Sequence, residues 1–272
     1  MGMKRRPLAR RRLLATALAL PATALALPAF AQSQWDVLRE VFFENRPVLD
    51  GTGLIELEAP ARAHDAALVE VAVKVLLPQT PERYIRAIHL LIDRNPAPRA
   101  AVFKLTPETG SASITTRIRV NEYTPVRAVA ETNDGALFMV ERFVKASGGC
   151  SAPASKDKEA AYARLGKMKL LEPESFHAGE PNELRLLISH PQYSGMQIDQ
   201  LTRNWIPADH LETIWITWNG EPLVEVEADI SLSEDPLLGF HVKPEGPGEL
   251  RVEAVDIKGR RFVQSWQLGV GS

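Results

Sequence analysis

Cysteine is nearly missing from this chain: Cys150 is the only one among 272 residues. A lone thiol excludes an internal disulfide and is a poor basis for a metal cage. The six histidines (His64, His89, His177, His190, His210 and His241) contain no i,i+4 pair, so no dedicated metal site is expected. Long apolar runs are also missing beyond the first 31 residues. No later segment approaches the roughly 18 apolar residues of a membrane span. Excess basic charge is missing too. The first 31 residues hold six of the 32 Lys and Arg and none of the 34 Asp and Glu, so the remainder has a net charge of about −8. That charge argues against nucleic acid or an anionic membrane surface as a partner.

What is present begins with an export signal at 1–31. Lys4, Arg5, Arg6, Arg10, Arg11 and Arg12 form a basic start, and an apolar stretch runs from Leu13 to Leu27. Ala29-Phe30-Ala31 is a small-residue cleavage pattern, placing the cut between Ala31 and Gln32. Arg10-Arg11-Arg12-Leu13-Leu14 fits a twin-arginine signal recognised through Arg10 and Arg11, although Ala15 stands where a lysine is usual. Export to the periplasm by the Tat route is expected, with Sec as the alternative. Pro21 and Pro28 argue against an uncleaved anchor.

The remaining 241 residues suit two domains of about 110 residues each. Trp35, Leu38, Val41 and Phe42 recur at helical spacing, with Phe43 adjacent, and predict a short helix ending before Pro47. Strand patterns follow. Val69, Val71, Val73 and Val75 form one face of a half-buried strand, and Ile85–Ile92 gives another. Ile114, Ile118 and Val120 mark a third, with Arg117 and Arg119 pointing the other way. Asn133-Asp134-Gly135 predicts a hairpin between 126–131 and 136–144, turning with positive φ. Asn219-Gly220 and Lys258-Gly259 predict two more in the second half. The expected fold is all-β: two immunoglobulin-like β-sandwich domains at 32–147 and 167–272, with a short N-terminal helix and an interdomain linker at 148–166.

Cys150 lies in that linker. Gly148 and Gly149 precede it, and Ser151-Ala152-Pro153 follow, with no bulky apolar neighbour on that side. The thiol is therefore expected to be exposed on a flexible strip, with Gly148 and Gly149 supplying swinging-arm freedom. About eight flexible residues reach roughly 15 Å. Ser155 is placed to cap a short helix that stops at Gly166. Lys145, Lys156 and Lys158 are too loosely placed to activate the thiol, and Asp157 and Glu159 offset them. A mobile unactivated thiol suits presentation of cargo better than catalysis. Ser189-His190-Pro191 reads as a strand-end turn, as does Asp93-Arg94-Asn95-Pro96. Trp205, Trp215, Trp218 and Trp266 read as core or domain interface.

A sandwich ending in Gly148-Gly149-Cys150, followed by a second small sandwich, resembles the SoxY and SoxZ subunits of the sulfur-oxidation carrier, here in one chain. The SoxZ-like features are Ile188-Ser189-His190-Pro191, Gly195, Ile206-Pro207 and Asn219-Gly220-Glu221. The order of segments is similar to that of fused SoxYZ-like carriers associated with quinoprotein dehydrogenases. The resemblance implies a periplasmic, non-enzymatic carrier of thiosulfate-type sulfur with Cys150 as the covalent attachment point. It implies no cofactor beyond a sulfur adduct on Cys150. The implied partners are periplasmic sulfur-oxidation enzymes or quinoprotein (PQQ) dehydrogenases. The alternative is an accessory binding module of such a dehydrogenase, acting through its sandwich surfaces. A sulfurtransferase would need a base or anion-binding loop beside the thiol. In the family the Gly-Gly-Cys arm ends in two further glycines and is free. Here Ser151 and Ala152 replace them, and the chain continues, so the arm is tethered at both ends.

Overall fold

Alternating buried and exposed positions build most of the strands. In β3 (Val69–Val75), Val69, Val71 and Val73 are buried while Glu70 and Lys74 are exposed. Burying each valine contributes about 1.5–3 kcal/mol relative to leaving it in water. The computed structural model describes residues 33–153, 158–173 and 175–269, together with Met1 and Gly2. Apart from Met1 and Gly2, the export signal expected at 1–31 lies outside the described residues, and so do Arg10, Arg11, Ala31 and Gln32. The described residues from 33 onward form one compact unit. No helix among the described residues is long and apolar enough to cross a membrane.

Helix α1 spans Gln34–Phe43 and is followed by β1 (Val48–Asp50), β2 (Ile55–Glu58) and β3. Then come β4 (Ile85–Ile92), β5 (Arg99–Leu105), β6 (Ile114–Ile118), β7 (Thr124–Thr132) and β8 (Leu137–Val144). Helix α2 (Lys158–Ala163) leads into β9 (Met168–Leu171), β10 (Asn182–Ile188), β11 (Leu211–Trp218) and β12 (Glu221–Ala228). Strands β13 (Leu237–Val242), β14 (Gly248–Asp256) and β15 (Arg261–Leu268) complete the described chain.

These strands make two sheets, so the expected all-β sandwich is present. One runs β1-β8-β7-β4-β5-β12-β11-β14-β15, the other β2-β3-β6-β13-β10-β9. Both cross from the first half of the sequence to the second. In the larger sheet β5 pairs antiparallel with β12, from Ala101 opposite Ala228 to Leu105 opposite Val224. In the smaller, Thr115 and Thr116 of β6 face Gly239 and Leu238 of β13. The apolar core is likewise continuous, joining Ile88 and Phe103 to Leu186, Ile214 and Phe240. The halves therefore lie side by side with their ladders merged, which fixes their loops relative to one another.

The turns follow their residues. Asn219 and Gly220 take φ of 51° and 86°, the pair of left-handed residues that a type I′ hairpin requires. The loop between β7 and β8 differs from expectation. Only Gly135 has positive φ there, and its N–H donates to Thr132 O at 2.9 Å. That is a type I turn closed by a left-handed glycine, a longer loop than the type I′ turn. Helix α1 is started by Ser33, whose hydroxyl and backbone exchange hydrogen bonds with Asp36. It covers the outer face of the larger sheet, where Trp35, Phe42 and Phe43 pack against Leu91, Val129 and Leu137. This second cover explains why β4 is buried on both faces. Val41, expected on the apolar face, is exposed because Leu38 and Phe43 set the packing direction.

Candidate functional site

After β8 the chain does not leave the surface. Gly148 N–H donates to Asn121 O at 2.8 Å, and Gly149 N–H donates to Val120 O at 3.0 Å. Val120 N–H in turn donates to Ala66 O at 2.8 Å. Gly149 lies so close to this layer that a Cβ would sit 2.1 Å from Ala66 O. No residue with a side chain fits there without moving backbone. In this conformation the glycine pair gives close approach at Gly149 and a left-handed turn at Gly148, φ 81°.

Cys150 is fully buried, at 0% exposure, which corrects the expectation of an exposed thiol on an extended strip. The cover comes from two loops far apart in sequence. From the first half, Arg119 Nη1 donates to Gly149 O at 3.2 Å, and its Nη2 reaches Gln192 O at 3.2 Å. From the second half, Ser194 Oγ donates to Cys150 O at 2.5 Å, and Gln197 Nε2 to Ala152 O at 3.0 Å. The arm is thus clasped at the junction of the halves. Burial pushes the thiol pKa up to about 11, against a smaller downward pull from Arg119. The thiol is protonated at neutral pH and a weak nucleophile. Among the described residues it makes no hydrogen bond.

Arg119 is only 2% exposed, although its alternation with Ile118 and Val120 placed it on the outer face. It lies just past the end of β6, where Arg119 N–H donates to Ser231 O at 2.8 Å. Asn95 fixes the same stretch. Its Nδ2 donates to Arg119 O at 2.7 Å, and its Oδ1 accepts from Asn121 N–H at 2.8 Å. The 93–96 turn expected from sequence is therefore also the support of the arm's docking edge. Among the described residues no carboxylate forms an ion pair with Arg119, and its buried Nε has no partner. Burial holds its pKa below the ordinary arginine value, with weaker opposing pulls from Cys150, Glu234 and Asp65.

The family model for the sulfur oxidation protein SoxY matches residues 39–150, and that for the sulphur oxidation protein SoxZ matches 169–267. The chain belongs to the SoxY–SoxZ family, with both members fused in one polypeptide. The SoxY match ends on Cys150 itself. A solved structure of the sulfur carrier protein SoxY from Chlorobium limicola f thiosulfatophilum is 23% identical, covering 42% of this chain and 91% of that one, with a TM-score of 0.35. A superoxide reductase (neelaredoxin) from Ignicoccus hospitalis is 18% identical, covering 34% of this chain and 79% of that one, with a TM-score of 0.31. No curated protein matches the chain.

The SoxZ half supplies a second buried polar cluster beneath the loop that covers the arm. His190, Asp209 and Asp256 offer ligand atoms within 4.8 Å of one another, and all three residues are buried. They suit a cation poorly, because the carboxylates are already engaged. Asp209 accepts from Lys258 Nζ at 2.6 Å, from Tyr162 OH at 2.9 Å and from Arg260. Asp256 accepts from Arg260 Nε at 2.5 Å and from the backbone of Lys258 at 2.9 Å. His190 Nδ1 accepts from Gln192 N–H at 3.2 Å, which turns Nε2 toward the acids. Burial lowers the His190 pKa, against the pull of Asp209 and Asp256, so the ring is neutral. The cluster holds the 190–194 loop in place; it is more than the strand-end turn read at His190-Pro191.

Lys158, one of the lysines considered near the thiol, pairs with Asp199. Ser155, the expected cap of α2, lies outside the described residues. Trp218 and Trp266 pack on the core as expected, whereas Trp205 is 66% exposed and Leu201 is 92% exposed. Both stand on the 195–206 loop, whose Gln197 clasps the arm.

Proposed function

We propose that the chain is a periplasmic carrier that holds a sulfur-containing group covalently on Cys150 and presents it to sulfur-oxidation enzymes. The observation that carries this reading is the end of the SoxY match on the chain's single cysteine, next to a matched SoxZ half. Joining the Cys150 thiol to a thiosulfate-type anion through an S–S bond releases one proton and two electrons, which an electron-accepting partner enzyme must take. The buried, protonated thiol supports a division of labour. Docked, the arm shields Cys150 from stray oxidants; lifted, it offers the sulfur to a partner. Lifting breaks the contacts at Asn121, Val120, Arg119, Ser194 and Gln197. The tether at both ends means that partners must come to the arm.

Intact mass of protein taken from the native periplasm under inducing conditions tests the reading. The expected result is a sulfur adduct that Cys150→Ser removes together with pathway activity. An unmodified or merely glutathione-capped thiol would overturn it. The exposed Leu201 and Trp205 favour a second reading, an accessory module docking on a periplasmic quinoprotein dehydrogenase. Under that reading Cys150→Ser keeps full activity and Trp205→Ser loses it.

A further inference from the structure

Arg119 is a buried cation that no carboxylate among the described residues pairs with directly. Its two terminal nitrogens meet neutral carbonyls, those of Gly149 and Gln192, and its Nε meets nothing. Asp65 and Glu234 act on it only from a distance. Two further buried donors without partners, Gln192 Nε2 and Tyr193 OH, belong to the covering loop that meets Arg119 through Gln192 O and the arm through Ser194. A buried guanidinium bound only to carbonyls retains most of its desolvation cost. The reduced arm does not offset it, because a protonated thiol has no charge.

We infer that Arg119 is the counter-cation of the docked arm, so that docking reads the charge of whatever Cys150 carries. This rests on the carrier reading of Cys150. An adduct ending in an anionic, oxygen-rich group brings charge and acceptors to the Arg119 guanidinium, which already holds the arm at Gly149 O, and charge-assisted hydrogen bonds are the stronger kind. The loaded arm is then held in its clasp. Once the anionic group is removed, the hold weakens and the arm is released more readily. Arg119 acts here as a positioning residue, and it sets which cargo is sheltered.

Three adducts on the mature wild-type chain test this. Tetrathionate supplies the anionic one: the Cys150 thiolate attacks an inner sulfur, a new S–S bond forms, the central S–S bond breaks, and thiosulfate leaves with the electron pair. The product is Cys150–S–S–SO3⁻, and the thiol proton goes to solvent. Methyl methanethiosulfonate gives the neutral Cys150–S–S–CH3, releasing methanesulfinate. Aminoethyl methanethiosulfonate gives a cationic disulfide by the same exchange. Hydrogen exchange at the Gly148 and Gly149 amides reports docking. Protection is expected to be about tenfold higher for the anionic than for the neutral adduct, and lowest for the cationic one. Arg119→Gln should erase the difference and Arg119→Lys should restore part of it. If Arg119→Gln does not fold, the order of the three wild-type adducts decides alone. Equal protection of the anionic and neutral adducts, or a difference that survives in Arg119→Gln, overturns the inference. Neither result depends on what the native periplasm loads, so the carrier reading stands or falls separately by mass.

Discussion

Two buried polar clusters lie on either side of Gln192, and they handle charge in opposite ways. On one side Asp209 and Asp256 are matched by Lys258 and Arg260, with Tyr162 and backbone donors filling the remaining acceptor sites. On the other side Arg119 has carbonyls and no acid, beside a thiol that burial keeps neutral. A matched cluster is complete and needs nothing from outside, so its role is to hold the loop. An unmatched one tolerates a cost that a pure scaffold would avoid. The first cluster should therefore govern stability, and the second should govern the state of the arm.

The largest effect should come from breaking the matched cluster. Asp209→Asn takes the charge from the buried acid that Lys258, Arg260 and Tyr162 share, weakening three charge-assisted hydrogen bonds worth about 1.5–3 kcal/mol each. Thermal unfolding should show a large drop in Tm, with the 190–194 loop losing exchange protection as well. A variant as stable as the parent would mean that the cluster is not the anchor described. The matching change at the arm is Gly149→Ala. Its Cβ would meet Ala66 O at 2.1 Å, so the arm must lift or the backbone must shift. Reaction of Cys150 with a disulfide reagent should rise about a hundredfold, equivalent to roughly 2.7 kcal/mol of docking free energy. The Tm should fall far less than for Asp209→Asn, because the arm is a local unit outside the core. A rate within twofold of the parent's would show that the glycine is not required for docking.

That contrast also marks where sequence reading stops. The valine face of β3 and the Asn219-Gly220 hairpin were legible, because strand alternation and left-handed turn residues are local properties. The position of the Gly-Gly-Cys segment at the junction was legible for the same reason. Its burial was not. Small residues around Cys150 predict exposure, yet the cover comes from 119–121 and 192–197, which only the merged sheets bring together. Arg119 was hidden by alternation. Counted along the strand it falls on the outer face, but the strand ends at Ile118, and the next residues bond to Ser231 and Ala66 instead. The cue available in sequence was a lone arginine between Ile118 and Val120. Trp205 shows the opposite case: residue type points to core or domain interface, but its loop carries it outward.

The smallest effect, and the finest distinction between the clusters, lies in pH. Asp209 has a lowered pKa; burial alone would raise it, and Lys258, Tyr162 and Arg260 together outweigh burial. Its contribution is present above the unfolded value near 3.8 and is lost as pH falls through the folded value. Cys150 runs the other way. Its docked pKa of about 11 lies above the ordinary 9.0, so the docked state keeps a proton that the lifted or unfolded state loses. Docking is therefore at full strength below about pH 9 and weakens as pH rises toward about 11. The alkylation rate of Cys150 should show a midpoint near 11 in the parent and near 9 in Gly149→Ala, while Asp209→Asn changes acid stability. A parent midpoint at or below 9 would mean that the thiol is already in water, and the contrast between a sealed arm and a sealed anchor would collapse.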